Sequence, residues 1–327
     1  MRSKCQVLLL SFLLALTTHG QETKTALFNI GDAAPPLRLQ HWLKGNPIQH
    51  FTNGNCYVVE FWATWCHPCK VAMPHLSDLA REYKGKVTFI GVDVYEKKTT
   101  PLKTIQHFVD SMGSKMDYDV ATEDNDLMSK GWLDASAEKG IPNTYVVNAD
   151  GMVAWIGHPK DLARVLPRIV SHTWDNKAAL AERVLKKRLD SLDTEESYKL
   201  AAFNGTPAKP DSVLAAIKEV LRKEPALKYM PVMAANTFSA LLKTNPHEAY
   251  LFGRGMLAAP GEDLPYDMIY KNVEQFPASL PAEIYQLAVD AFKAEINADS
   301  DYLYLPDMYR RMADMNRRAD TLTSSRQ

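Results

Sequence analysis

The 327-residue chain contains only four cysteines, and this scarcity limits how the protein can be stabilised. A small disulfide-stapled domain is cysteine-rich for its size, so stability here must come from packed apolar cores. Cys5 and Cys56 stand alone in the sequence, whereas Cys66 and Cys69 form a CxxC pair. The sequence has no second CxxC and no HxxxH pair. A zinc site built on this CxxC would therefore lack the two further ligands that such sites need.

An excess of charge of one sign is also missing. The 38 basic and 39 acidic residues leave a formal net charge of −1, and neither end carries a polybasic block. This balance does not favour binding to nucleic acid or to an anionic membrane surface. The content of 46% hydrophobic and 24% charged residues is typical of globular proteins.

The first twenty residues have the pattern of a secretory signal peptide. Two basic residues precede the apolar run 7–16, which is too short to cross a bilayer. Small residues then suit cleavage before Gln21, and no cysteine follows the run to carry a lipid anchor. We therefore predict a signal peptide over 1–20, a periplasmic or secreted location, and no membrane span after its removal. A short buried helix is the alternative.

The CxxC pair lies between a predicted strand and a predicted helix. The run 57–61 is apolar, β-branched and aromatic, as in a buried strand, and apolar residues recur at helical spacing over 72–83. A helix N-terminus favours negative charge, so the Cys66 thiol should ionise more readily than a free thiol. Cys69 lies one turn further on and can close a disulfide with it. This arrangement predicts a redox-active dithiol rather than an inert structural disulfide.

The residues 61–69, FWATWCHPC, resemble the active-site signature of the thioredoxin superfamily. More narrowly, they resemble the secreted bacterial branch that includes the TlpA and ResA proteins. The resemblance implies an α/β thioredoxin-like fold over 21–170, with a central mixed sheet flanked by helices. It also implies that Cys66 attacks a substrate disulfide and Cys69 resolves the mixed disulfide. Apart from this dithiol, we predict no cofactor and no metal.

Glu60 is a further candidate because it lies six residues before Cys66 on an otherwise apolar strand. A buried carboxyl group there would have a raised pKa and could pass a proton to or from Cys69. A partly exposed glutamate at the strand end, without a catalytic role, is the alternative. Where thioredoxins have a lysine near their buried acid, this chain has Gly91.

The resemblance also implies that Ile141-Pro142 is the cis-proline loop that faces the CxxC in this superfamily. The backbone of Ile141 would then pair with an extended substrate peptide. We expect Trp65, Ile141 and Gly157 to line the substrate groove.

Three residues close to the cysteine pair have narrower interpretations. His67, between the cysteines, could stabilise the thiolate when protonated and make the couple more oxidising, or it could be a solvated spacer. Pro68 suits the first turn of a helix, where a missing N–H is not needed. Cys56, at a strand start, is expected to be a small buried hydrophobe rather than a third redox thiol.

The rest of the first half predicts further strands and one added helix. A strand over 87–94 should complete a parallel β-α-β unit with the strand before the CxxC. A helical pattern occurs within 96–130, and an apolar hairpin with an Asp-Gly turn occupies 140–156. Pro and Gly residues within 21–55 predict a short β-hairpin there.

After residue 170 the strand patterns end and amphipathic helical stretches take over. We predict an all-α, helical-repeat-like domain over 171–327, although no clean 34-residue period is present. The aromatic stretch 302–306 is expected to pack in its core. The predicted helices lie near 172–190, 195–203, 210–223, 228–243, 247–258, 264–275, 280–296 and 303–318.

These observations predict an exported thiol–disulfide oxidoreductase of the bacterial cell envelope, of the protein-disulfide reductase type. Its partners would be exported proteins with disulfides and a membrane or periplasmic electron donor. Pro68 and Ile141 resemble reducing members of the superfamily, whereas His67 favours a disulfide-forming oxidant, so both directions stay open. A binding or scaffold protein, whose helical half recruits a partner, is the alternative from another class.

Overall fold

A computed structural model of the protein describes residues 27–202, 209–259, 264–298 and 305–324. The predicted signal peptide and Cys5 lie outside these residues, as does the aromatic stretch up to residue 304. Within the described ranges, no helix combines the length and the apolar character that a membrane crossing requires.

The first half of the chain is built on one mixed six-stranded sheet. The strands are β1 (Leu39–Lys44), β2 (Cys56–Trp62), β3 (Val87–Asp93), β4 (Asp119–Glu123), β5 (Asn143–Val147) and β6 (Val153–Gly157). In the sheet they follow the order β1-β4-β3-β2-β5-β6, with β2 parallel to β3 and β3 parallel to β4. The other neighbouring strands are antiparallel. The predicted parallel β-α-β unit is therefore confirmed.

Strand β2 lies in the middle of the sheet, and all seven of its residues are buried. Because side chains alternate between the two faces of a strand, Val58 and Trp62 pack on one side and Val59 and Phe61 on the other. The Val58 side also holds both cysteines of the CxxC. Three helices contribute to that side, namely α1 (His67–Glu82), α2 (Leu102–Met112) and α3 (Leu162–Val170).

The hairpin predicted within 21–55 is wrong for the described part of that segment. Strand β1 pairs with β4 at the sheet edge, with Leu39 opposite Glu123 and Trp42 opposite Ala121. Ala33 instead makes an isolated bridge to Met152. An isolated two-stranded hairpin is marginally stable, whereas joining the edge of an existing sheet satisfies the backbone groups and packs apolar side chains on a core.

The second half is helical. The two helices predicted near 172–190 and 195–203 form one continuous helix instead, because residues 191–194 contain neither glycine nor proline. Asp193 within this stretch accepts hydrogen bonds from the backbone N–H groups of Val232 and Met233, at 2.8 and 2.9 Å. The helices are α4 (Asn176–Ala202), α5 (Pro210–Lys223), α6 (Pro231–Thr244), α7 (Pro246–Leu257), α8 (Asp267–Gln275), α9 (Ala282–Ala298) and α10 (Leu305–Ser324).

Helices α6 to α10 share an apolar core of their own. Phe238 of α6 and Phe292 of α9 are fully buried in it. The ring of Phe292 stacks on that of Tyr270, with centroids 3.9 Å apart, and the Arg311 guanidinium lies over both rings. Burial of apolar and aromatic side chains therefore stabilises this half.

Helix α4 packs on both halves. Ala179 in its first turn belongs to the core on the Val59 side of the sheet, whereas Leu200 near its end packs with Ile217 of α5. The domain boundary predicted at residue 170 stays a prediction, since α4 begins only six residues later and contacts both cores.

Candidate active site

The Cys66–Cys69 disulfide lies at the point where β2 is followed by α1, with an S–S distance of 2.02 Å. Cys66 is the N-cap of α1, and its Sγ accepts a hydrogen bond from the Cys69 backbone N–H at 3.2 Å. Pro68 lies in the first turn, where the backbone N–H groups lack helical partners and proline fits. A donor N–H at this sulfur would stabilise a Cys66 thiolate in the reduced protein.

The two sulfurs lie just below the protein surface. Cys66 is 3% exposed and Cys69 is fully buried, whereas the neighbouring Trp65 is 57% exposed. The Trp65 indole Nε1 donates to the Tyr95 carbonyl oxygen at 3.1 Å, which fixes the ring beside the pair. His67 and Pro68 are also exposed. Access from solvent to the Cys66 sulfur therefore passes the exposed side chain of Trp65.

Glu60 is 2% exposed and lies within β2, opposite Gly91 of β3 and Thr144 of β5. By strand alternation it faces the same side of the sheet as Trp62, which packs in one core with both cysteines. Burial raises the pKa of Glu60 well above its ordinary value, and neither carboxyl oxygen has a hydrogen-bond partner among the described residues. This burial excludes the exposed position considered as the alternative. The proton-transfer role of Glu60 stays a prediction.

Tyr118 and Trp62 fill the space beside Glu60 that a side chain at position 91 would need. A Cβ on Gly91 would lie 2.9 Å from Tyr118 Cε2 and 3.2 Å from Trp62 Nε1. Burial, and then the charge of Glu60, raise the pKa of the Tyr118 hydroxyl well above its ordinary value. Sequence reasoning missed Tyr118, because nothing in its local pattern connects it with a strand that lies nearly sixty residues earlier.

The Ile141-Pro142 peptide bond is cis, which confirms the expectation from the resemblance. It leads directly into β5, where Asn143 pairs with Phe61 of β2. Pro142 therefore lies beside the end of β2, from which the CxxC segment continues. Ile141 is half-buried and packs against the core that holds both cysteines.

Gly157, predicted for the substrate groove, ends β6 and lies opposite Thr144. It lines a cavity of about 350 Å³ whose walls include Trp155 and Trp174. Neither cysteine lines that cavity. The structure thus brings Trp65, Pro142 and the disulfide to the end of β2, and Gly157 to a neighbouring cavity.

A carboxylate that the sequence did not reveal holds the segment before the CxxC. Glu96 Oε1 accepts hydrogen bonds from both the backbone N–H and the hydroxyl of Thr64, at 2.7 and 2.6 Å. Asp93, at the end of β3, is buried beside Glu96. Burial first, and then the charges of Glu96 and Glu123, raise the pKa of Asp93 to about 8. An available signal was the acidic sequence just after β3, because the carboxyl ends of parallel strands meet at one sheet edge.

The remaining cysteine is separate from this chemistry. Cys56 is buried at the start of β2, as predicted, and burial raises the pKa of its thiol. A buried thiol with a raised pKa is a poor nucleophile. Within the described ranges, no group of three or more His, Cys, Asp or Glu side chains is placed to hold a metal ion.

Comparison with known proteins places this site in a family. The thioredoxin family model matches residues 47–110. The chain is 35% identical to protein FixW of Rhizobium leguminosarum over 176 residues, which cover 49% of this chain and 76% of FixW. It is 26% identical to thiol-disulfide oxidoreductase ResA of Oceanobacillus iheyensis over 161 residues, covering 46% of this chain and 77% of ResA.

Among solved structures, StoA from Bacillus subtilis is 17% identical, with a TM-score of 0.33, over 40% of this chain and 97% of StoA. The similarity to FixW extends over three quarters of that protein, and the thioredoxin family model matches the segment of the chain that carries the CxxC. We conclude that the chain belongs to the thioredoxin superfamily, in its TlpA/ResA-like branch of thiol–disulfide oxidoreductases.

Proposed function

We propose that this oxidoreductase reduces disulfide bonds in exported proteins. The observation that carries the proposal is the placement of Cys66 at the N-cap of α1. The backbone N–H of the buried Cys69 donates a hydrogen bond to the Cys66 sulfur there. In the reduced protein this N–H and the helix N-terminus favour the Cys66 thiolate, which is the attacking species in thiol–disulfide exchange.

The reaction transfers two electrons from the dithiol to the substrate. The Cys66 thiolate attacks one substrate sulfur, so that a Cys66–substrate disulfide forms and the other substrate sulfur leaves as a thiolate and takes up a proton. Cys69, once deprotonated, attacks the Cys66 sulfur. This step closes the Cys66–Cys69 disulfide and releases the second substrate thiol. An external donor must then return two electrons to the pair.

Glu60 is proposed to take the proton from Cys69 as that thiol attacks. Its burial on the same side of the sheet and its raised pKa support this role, because a raised pKa makes the carboxylate a stronger base toward a thiol than an ordinary glutamate is. Pro142, Ile141 and Trp65 are proposed to contact an extended substrate segment beside the disulfide.

The surroundings of Cys66 support the reduction, rather than the formation, of substrate disulfides. One backbone N–H contacts its sulfur, and His67 is exposed, so that solvent screens any positive charge on the imidazole. A strongly oxidising pair needs a much more stabilised thiolate.

The proposed location is the cell envelope, in line with the predicted signal peptide, with an electron donor in the membrane or periplasm. We also propose that residues 171–327 form a helical-repeat-like domain.

The reduction potential tests the direction. Titration of the Cys66–Cys69 couple in a glutathione or dithiothreitol buffer should give a value near that of thioredoxin, about −270 mV. A value near that of DsbA, about −120 mV, would reverse the assignment to a disulfide-forming oxidant. Absence of a reversible couple would contradict both.

Covalent trapping tests the substrate class. A Cys69→Ser variant should accumulate mixed disulfides between Cys66 and exported proteins, because the resolving thiol is missing. The matched control is the Cys66→Ser/Cys69→Ser variant, which has no attacking thiol. Failure of the single variant to capture any exported protein under conditions where the control is equally stable would remove the proposed substrate class.

A further inference from the structure

The first helix of the helical half holds the loop that leads to the cis-proline bond. We call residues 136–142 the proline loop. Arg183 of α4 has a side chain that is only 9% exposed, and its guanidinium contacts three acceptors. It donates to Asn29 Oδ1 and to the Ser136 carbonyl oxygen, each at 2.7 Å, and to the Glu138 carboxylate. A planar guanidinium is suited to such fixed multiple contacts.

Lys187 contacts the same loop one helical turn later. Its Nζ donates to the Ala137 carbonyl oxygen at 2.6 Å and lies 3.0 Å from Glu138 Oε1. Residues four apart share one helix face, so α4 presents both cations to the loop together. Ala137 has a φ of 58°, a left-handed conformation that a side chain disfavours. Contacts from outside the loop therefore help to hold its backbone in this shape.

The contacts continue from Glu138 to the residue next to the cis-proline. The second carboxylate oxygen of Glu138 accepts a hydrogen bond from Asn143 Nδ2 at 3.2 Å. Asn143 directly follows Pro142, is buried, and pairs with Phe61 of β2. At the start of the loop, the Ser136 hydroxyl lies 2.7 Å from the buried Tyr145 hydroxyl. Both ends of the proline loop are thus tied to β5, and its middle is tied to α4.

We propose that Arg183 and Lys187 are positioning residues for the proline loop, so that the helical half helps to set the geometry in which a protein substrate meets the disulfide. The inference rests on the proposed function, because it assumes that substrate peptide contacts Ile141 and Pro142. It assigns α4 a part in substrate selection. A small disulfide, which does not extend along the loop, should not depend on these contacts.

The test compares two substrates in the full chain. Wild type and Arg183→Ala are assayed with a disulfide-containing peptide and with glutathione disulfide, with dithiothreitol present to return two electrons to the enzyme after each turnover and with the uncatalysed rate subtracted. For the variant we expect kcat/KM toward the peptide to fall about tenfold, mainly through KM, because the loss of one charged positioning group is of that order. For the variant, kcat/KM toward glutathione disulfide should change less than about twofold. The equilibrium constant of the Cys66–Cys69 couple, from which its reduction potential follows, should also change less than about twofold.

Matched variants separate positioning from general stability. Arg188→Ala removes an exposed arginine of the same helix that pairs with Glu224, away from the loop, and should leave both activities unchanged. Glu138→Ala should reproduce the Arg183→Ala profile, and the double variant should add little, because the two side chains act as one pair. If Arg183→Ala does not fold, Arg183→Lys, which keeps the charge and loses the planar contacts, replaces it and should show an intermediate loss for the peptide alone.

The outcomes distinguish this inference from the proposed function. If wild type reduces neither substrate, the proposed function fails. If wild type reduces both and Arg183→Ala lowers both activities in parallel, or lowers neither, the inference is overturned and the proposed function stands. A selective loss for the peptide supports it.

Discussion

The two halves of the molecule treat buried polar groups differently. In the sheet half, Glu60, Asp93 and Tyr118 each bury a side-chain oxygen without a hydrogen-bond partner among the described residues. In the helical half, the buried carboxylate of Asp193 accepts two backbone N–H groups at the start of α6. Asp193 therefore acts as an ordinary cap, whereas Glu60 and Asp93 of the sheet half each bury at least one carboxyl oxygen in an unfavourable environment.

This difference distinguishes the residues that support reactivity from those that stabilise the fold. Burying a carboxyl group without a partner is costly, and proteins retain such groups mainly where reactivity depends on them. Glu60 and Asp93 both lie on strands next to the CxxC segment, and burial is the main cause of the raised pKa in each. The helical half gains its stability from apolar packing, which requires no such groups.

The largest effect on stability is expected in the helical core. Phe238→Ala should lower the free energy of unfolding of this half by about 3–5 kcal/mol, because it empties a fully buried aromatic site. Far-UV circular dichroism follows the helices, whereas tryptophan fluorescence reports on the sheet half, since all six tryptophans lie at or before residue 174. The reduction potential of the Cys66–Cys69 pair should not change.

The exposed Val184 of α4 provides the control for this substitution. Val184→Ala should change the free energy of unfolding by less than about 0.5 kcal/mol. In Phe238→Ala the fluorescence transition could shift as far as the circular dichroism transition. That result would show that the two halves unfold as one unit, and it would contradict the separate stabilisation of the helical half.

The next effect concerns the rate of product release. Glu60→Gln should slow resolution of the mixed disulfide about a hundredfold near neutral pH, because the amide cannot accept the proton of Cys69. Acid quenching followed by mass spectrometry measures the lifetime of the mixed disulfide. Glu82→Gln, an exposed substitution at the end of α1, is the matched control. An unchanged lifetime in Glu60→Gln would remove Glu60 from the mechanism.

A smaller effect is expected in the pH dependence of stability. Burial raises the pKa of Asp93 from 3.8 to about 8, so the folded protein keeps a proton that the unfolded chain releases. Between these values the unfolded state binds fewer protons at this group, so the contribution of Asp93 to the free energy of unfolding falls as the pH rises. From pH ~6 to pH ~7 this one group contributes a loss of about 1.4 kcal/mol.

The protonated Asp93 carboxyl group donates a hydrogen bond to Glu96 through its other oxygen. Asp93→Asn should remove the pH-dependent contribution, because the amide does not titrate and its N–H can replace this donor. Chemical denaturation at several pH values measures the difference between the two curves. The difference should stop growing above pH ~8, where Asp93 also ionises in the folded protein. Parallel curves for wild type and variant would show that Asp93 does not hold a proton at neutral pH.

The smallest effect is expected at a surface ion pair of the helical half. Arg254 and Asp290 lie 2.9 Å apart, with half of the arginine side chain exposed. Arg254→Ala should change the free energy of unfolding by less than about 1 kcal/mol, because solvent screens the pair. A loss comparable with that of Phe238→Ala would mean that ion pairs, and not apolar packing, carry the stability of this half.

The segment around the CxxC was predictable because its signals are local. An apolar run, a helix-starting proline and a helical repeat of apolar residues identify β2 and α1 within about 25 residues of chain. The cis bond at Pro142 was predictable from the resemblance, not from base rates for proline. Several helices of the second half were also predictable, since proline stands at or next to their first residue at positions 210, 246 and 281.

The sequence by itself determined the redox pair, the β2-α1-β3 unit around it, and the change to an all-helical second half, because each depends on residues close together in the chain. Strand β4, within a segment whose pattern predicted a helix, was not among the predicted strands. Only the tertiary structure decided that β1 joins β4, that Tyr118 lies beside Glu60, and that Arg183 holds the proline loop. These contacts join residues that are 45 or more positions apart. Burial and hydrogen bonding in the folded protein select them, and no local pattern records which distant partner a side chain will meet.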